Sequence, residues 1–204
     1  MRSLLAILLL VPLAGCSGLF HSNARPEQVY VLRATPLKAG SAPVASSVRV
    51  IRPTAAPGLD STQIVLVQSD RRMSFYLASR WPAPAPSMIE MLAVEKLRTS
   101  GLWQSVGDST STFPTDYVVQ ITVRRFESDY TSSASTPEVH VVLDCIVGRR
   151  EGREVIASFL AEGTAKADAN KLGAVVEAFE TATNTALDSL SQQTLESVRA
   201  AIRK

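Results

Sequence analysis

Val139-His140-Val141-Val142-Leu143-Asp144-Cys145-Ile146-Val147 is the run that decides the fold of this 204-residue chain. Val139, Val141, Leu143, Cys145 and Val147 fall on one side of an extended backbone, and His140, Val142, Asp144 and Ile146 on the other. A period of two marks a strand with one buried face. Upstream, Tyr117, Val119, Ile121 and Val123 alternate in the same way with Val118, Gln120, Thr122 and Arg124. That pattern breaks at Arg124-Arg125-Phe126, as it would at a bulge. Downstream, Arg150-Glu151-Gly152-Arg153 is a tight turn into a third strand, about residues 154–166. Three long strands joined this closely are expected to be antiparallel neighbours.

Outward from these strands, a long helix is expected from about Asn170, its candidate cap, to near Arg203. Leu172, Val175, Val176, Phe179, Ala182, Ala186 and Leu190 keep a helical stripe. Beyond Leu190 the stripe thins to Leu195, Val198 and Ile202, so the first half should pack on the sheet and the second is either frayed or docked. Toward the N-terminus, residues 28–32, 48–52, 63–67 and 73–78 read as strands, the second stopped by Pro53. Residues 36–47, rich in Ala, Pro and Ser, read as a loop, and Ser69-Asp70-Arg71-Arg72 as a hairpin connection. Trp81-Pro82-Ala83-Pro84-Ala85-Pro86 leads into a helix over residues 88–100, with Ser87 and Glu90 at capping-box spacing and Gly101 as its left-handed stop. The expected fold is α/β with α+β character: one domain, a mixed, largely antiparallel sheet with two main helices packed on it.

The first residues, MRSLLAILLLVPLAGC, address a different question. Arg2 precedes an apolar run from Leu4 to Leu13, too short to cross a bilayer and laid out as a cleaved secretory signal. Leu13-Ala14-Gly15-Cys16 resembles the bacterial lipobox, which implies cleavage before Cys16 and acylation of its sulfur and amine. Two or more chains hold a protein stably to a membrane where one does not. An ordinary signal peptide with a chance cysteine is the alternative. Residues 1–15 are then a signal peptide, 16–27 a lipidated tether and 28–204 the domain. Ser17, where aspartate is the inner-membrane retention signal, implies the outer membrane. Loss of residues 1–15, whose one charge is Arg2, takes the formal net charge from +2 to +1. Such a balance gives no electrostatic case for nucleic acid. With 46% hydrophobic residues the chain can bury a proper core. Cys16 being committed to lipid, Cys145 has no disulfide partner and reads as a small core residue.

Catalytic patterns are lacking. Of two histidines, His21 lies in the tether and His140 on a strand, four residues from Asp144 and pointing the same way. No Gly-x-Ser-x-Gly elbow accompanies them, and no metal-ligand spacing or Gly-rich phosphate loop occurs. A half-exposed polar pair is the simpler account. No enzyme, cofactor or metal is expected. Arg71-Arg72 could meet lipid headgroups but equally suits a solvated turn.

Tyr30-Val31-Leu32, the strand from Val48 to Pro53, Leu59-Asp60 with Ile64-Val65, and an aromatic strand from Tyr76 to Trp81 before a helix come in a fixed order. In that order the chain resembles the auxiliary lipoproteins of ABC-type transport systems, the PqiC-like family, over the whole mature sequence. It departs after the tryptophan, where Trp81-Pro82-Ala83-Pro84 lacks the usual acidic residue. The resemblance implies a ring-forming, outer-membrane partner of an MCE (mammalian cell entry) lipid transport system, with a periplasmic MCE-domain protein and an inner-membrane permease as partners. The candidate interaction surface is Leu59, Asp60, Tyr76 and Trp81, with Trp81 either core or subunit contact. A structural or assembly lipoprotein of another envelope complex is the alternative function, and a lipid-anchored hydrolase lacks its nucleophile and base.

Overall fold

The computed structural model describes residues 26–37, 42–132 and 135–203. Its axis is the strand β7 (Tyr117–Asp129). On one edge β7 pairs antiparallel along its whole length with β8 (Glu138–Arg149), from Tyr117↔Arg149 to Asp129↔Glu138. β8 pairs in turn with β9 (Glu154–Lys166). The register shifts between Val123 and Arg125, at the expected bulge. On its other edge β7 is met in succession by three short strands, all parallel to it: β2 (Val44–Val50), β3 (Thr54–Ala55) and β4 (Gln63–Val67). Pro53 separates β2 from β3, where a missing N–H ends the ladder. β6 (Trp103–Gly107) adds to β2, β5 (Met73–Arg80) to β4, and β1 (Gln28–Val29) to β5, completing a mixed sheet of nine strands. Its two long ladders, β7–β8 and β8–β9, are antiparallel, and the short strands meeting the other edge of β7 are parallel to it.

α1 (Ala85–Thr99) and α2 (Leu172–Ile202) cover one face of this sheet. Beneath them Val119, Ile121, Val123, Val139, Val141, Leu143, Cys145 and Val147 are all fully buried. Each such aliphatic side chain stabilises by roughly 1.5–3 kcal/mol, and a one-residue slip would turn the whole set to solvent, so the register is strongly held. α2 lies directly on β9 because of Gly163: a Cβ there would stand 2.0 Å from the Ala182 carbonyl oxygen. The far half of α2 is docked rather than frayed, with Leu190, Leu195 and Val198 buried and Gln193 Nε2 donating to the Leu160 carbonyl at 3.4 Å.

Several local expectations are corrected. The strand expected over 28–32 is only two residues long, because from Tyr30 the chain leaves the sheet to cross the helices. The strand expected at 48–52 begins at Val44, inside the expected loop, and ends at Val50. β5 runs to Arg80. α1 begins three residues before Met88, since Pro86 falls in the first turn, where its missing N–H costs nothing. Ser87 makes no cap there, and Glu90 instead accepts from the Ser109 N–H at 2.8 Å. Gly101 does supply the left-handed stop, at φ 64°. Asn170 is not the cap of α2; Lys171 is, and Asn170 Oδ1 accepts the Tyr130 hydroxyl at 2.8 Å. β6 was unexpected. The signal, the lipobox and Cys16 lie outside the described residues.

Candidate interaction surface

The aromatic order that carries the family resemblance builds core as much as surface. Trp81 is fully buried, its ring centroid 5.7 Å from Phe126 and 5.2 Å from Phe179, the latter edge-on. Phe126 and Phe179 are themselves 5.1 Å apart, so strand β7, helix α2 and the entry to α1 share one aromatic cluster. The Trp81 backbone N–H donates to the Thr62 carbonyl at 2.7 Å, and the Ala85 backbone N–H to that of Ser61 at 3.1 Å, tying the start of α1 to the turn before β4. Leu59, in that turn, is also buried, while Asp60 beside it is exposed. Between core and subunit contact, the structure places Trp81 in the core. Of the four expected surface residues, Asp60 alone is fully open to a partner.

Tyr76 is half-buried. Its hydroxyl lies 2.9 Å from Ser128 Oγ and 2.9 Å from the Tyr130 hydroxyl, and burial pushes the phenol well above its ordinary pKa. It is turned inward by a wide bulge. Gln63 pairs with Arg80 and Val65 with Phe75, so Tyr76, Leu77, Ala78 and Ser79 together face Ile64 alone. Ala78 takes a left-handed conformation, φ 51°, which a residue with a Cβ adopts at a cost. Ser79 Oγ closes the bulge by donating to the Tyr76 carbonyl at 3.0 Å. The same turn throws Leu77 out to 92% exposure. Reading the segment as a strand could not find this, since regular alternation puts Leu77 on the same side as Phe75.

A second polar cluster fastens the N-terminal segment. Lys96 on α1 is buried, and its Nζ donates to the Thr35 carbonyl at 2.7 Å and pairs with Asp188 Oδ1 at 2.6 Å. Asn184 on α2 accepts from the Thr35 N–H at 2.7 Å and donates to the Arg33 carbonyl at 2.9 Å. Glu180 takes the Arg33 N–H at 2.9 Å. A chain entering the domain at Pro26 is thereby clamped to both helices. Neither Lys96 nor Asn184 was singled out in the sequence, because a lone lysine in an amphipathic helix reads as solvated.

The remaining candidates separate. His140 and Asp144 do share the open face of the sheet, yet each has its own partner: His140 lies 3.3 Å from Glu138, and Asp144 pairs with Arg124 at 2.5 Å. No serine joins them among the described residues. Arg72 turns back onto Asp70 at the hairpin, and Arg71, φ 67°, is exposed. Cys145 is buried, and burial with the neighbouring Asp144 carboxylate pushes its thiol up to about 12. Among the described residues no group of His, Cys, Asp and Glu could hold a metal ion, and no helix is long and apolar enough to cross a membrane. The concavities are shallow. One of about 560 Å³ lies between the starts of β2 and β7 and the β8–β9 turn, lined by Asp116 and Arg149 among others.

These elements make up a single α+β domain. The family model for the ABC-type transport auxiliary lipoprotein component matches residues 30–193, and the chain belongs to that family. It is similar to a crystal structure of a Xanthomonas campestris protein of the DUF330 family, at 26% identity and TM-score 0.79, over 88% of this chain and 100% of that one. An uncharacterised protein shares the fold at 13% identity and TM-score 0.64, over 83% of this chain and 99% of its own. No curated protein matches the chain.

Proposed function

We propose that this chain is the outer-membrane-anchored accessory subunit of an ABC/MCE-type lipid transport system, docking the periplasmic conduit to the outer membrane. The observation that carries the reading is the family match across residues 30–193, in a chain that opens with the lipobox Leu13-Ala14-Gly15-Cys16. Acyl chains on Cys16 hold the domain to the periplasmic face of that membrane. The domain performs no chemistry; it assembles with further copies and with the periplasmic MCE-domain protein, which an inner-membrane permease feeds. Asp60, on the turn beside the buried Leu59 and Trp81, belongs to the contact surface.

Two measurements test this. Metabolic labelling with a fatty-acid analogue should mark the wild type and not Cys16→Ser, since a hydroxyl cannot replace the thiolate in diacylglyceryl transfer. Light scattering over a wide concentration range, with and without the partner MCE protein, should show self-assembly and a further rise in mass with the partner. A domain that stays monomeric and ignores the partner overturns the docking role and favours a structural lipoprotein.

A further inference from the structure

We propose that the corner of the sheet where β1 meets the end of β5 rests on the surface of a phospholipid bilayer. The domain then touches the membrane with protein as well as with its anchor. The inference depends on the reading of Cys16 as the lipid attachment site.

Three apolar side chains meet solvent at this corner. Val29 is 47% and Val31 56% exposed, while Leu32 between them and the helices is buried. β1 pairs with β5 through Gln28↔Ser79 and Val29↔Arg80, which sets the bulge carrying Leu77, the most exposed large apolar residue, beside them. A left-handed alanine holds that leucine outward, and strain of this kind persists where the surroundings impose it and collects at contact sites. Arg80, paired with Val29 in the ladder, carries a cation at the same corner, ion-paired to Glu27 at 2.7 Å. Exposed aliphatic side chains beside a charged pair suit the boundary between acyl chains and headgroups.

The path of the chain says what covers the corner. The described residues begin at Pro26, two residues before β1, and Pro26 is ten positions after Cys16. Ten residues reach about 35 Å fully extended, and as a relaxed coil span roughly 16–19 Å. The anchor therefore keeps this corner, where the chain enters the domain, within that distance of the membrane surface. At the millimolar effective concentration a short tether imposes, a contact too weak to recruit the free domain is still well populated. The clamp of Lys96, Asn184 and Glu180 on residues 33–35 carries the orientation into the rigid core.

The test uses the full acylated chain in vesicles of phosphatidylethanolamine and phosphatidylglycerol. An environment-sensitive fluorophore is placed on Leu77→Cys and, for comparison, on Phe113→Cys, an exposed residue toward the opposite end of β7. Cys145 is buried and its thiol held protonated, so it does not compete for the label. Expected are a blue shift at 77 on reconstitution and quenching by headgroup-level nitroxide lipids, with neither at 113. Val29→Ser with Val31→Ser should lower the quenching at 77 at least twofold. Protein that floats with the vesicles while 77 stays unquenched overturns the contact and leaves the anchor standing. Protein that neither floats nor carries acyl chains overturns the anchor reading and the contact with it. A blue shift that follows protein concentration and ignores nitroxide lipids marks a second copy at this corner and overturns the contact as well.

Discussion

Gly163→Ala tests the packing on which the fold depends. The new Cβ would stand 2.0 Å from the Ala182 carbonyl oxygen and 2.9 Å from both the Ala182 carbonyl carbon and the Ala186 nitrogen, all of them backbone of α2. No flexible side chain can yield. Ordinary contact begins at 3.4 Å, so helix and strand must part by about 1.4 Å at this point. A radial gap of 0.5–1 Å already forfeits about a quarter to a half of a dispersion contact, and Ala182 and Ala186, which face Gly163, are fully buried. Overpacking costs about 1–3 kcal/mol, and a clash of backbone against backbone belongs at the upper end. Removing a glycine from a strand returns roughly 0.5–1 kcal/mol. The net loss is about 2 kcal/mol, and a domain of this size falls about 2–4 °C per kcal/mol, so the melting temperature of the unlipidated domain should drop by about 4–8 °C. Circular dichroism during heating, with urea titration beside it, measures this. Gly173→Ala, in the first turn of α2 with nothing within 4 Å, is the control and should stabilise by about 0.5–1 kcal/mol. A Gly163→Ala domain that melts at or above the wild-type temperature would refute the close approach of α2 to β9.

Cys145 should react with thiol reagents slowly in the native domain and quickly in urea, and Cys145→Ala should cost only about 1 kcal/mol; fast native labelling would mean the strand's face is reversed. Lys96→Ala should destabilise by about 3 kcal/mol, the lower end for removing one partner of a buried pair because Asp188 is half exposed; hydrogen exchange should rise at residues 33–35 before the rest of the domain opens. Asp116 accepts from both the N–H and the hydroxyl of Ser47, at 2.7 Å each, and these bonds hold its pKa below the usual carboxylate value. Its contribution is therefore complete above the unfolded pKa near 4 and is lost as pH falls through the lower folded value. The difference in urea midpoint between wild type and Asp116→Asn should be constant at neutral pH and shrink below about pH 4; a difference that grows on acidification contradicts the assignment.

The parts of the fold that could be read in advance are those where one local rule acts alone. β8, and β7 up to its bulge after Val123, alternate because one face is buried along their length, and the tight turn after β8 leaves β9 no arrangement but an antiparallel one. The segment from residue 44 to 67 was harder for the opposite reason. Its three short strands are held by parallel pairing to β7, some 60–70 residues further along, and parallel pairing at that distance leaves no mark on local composition. β6 is an edge strand of similar kind. The helix starts were displaced because competing partners won: Glu90 is drawn to Ser109, and Asn170 to Tyr130.

The surface was legible only in part, and the cause lies in the β5 bulge. Between Met73 and Leu77 the sequence alternates, and a regular strand would set Leu77 beside Phe75, against the core. The four residues looped out opposite Ile64 break that parity, turning Tyr76 in to Ser128 and Tyr130 and leaving Leu77 outside. Trp81 follows the bulge, and its register decides that the tryptophan closes the aromatic cluster instead of facing a partner. In this chain the aromatic strand ending in tryptophan is therefore a packing constraint on its buried members, and its capacity for contact passes to the residues the bulge expels. Substitutions at Leu77 should leave stability nearly untouched and weaken the contact with the bilayer, while Trp81→Ala should do the reverse, costing about 3–5 kcal/mol. Urea denaturation, and nitroxide-lipid quenching of a fluorophore at residue 31 of the acylated protein, separate these effects on the two variants, and a Trp81→Ala domain of wild-type stability would return the tryptophan to the surface.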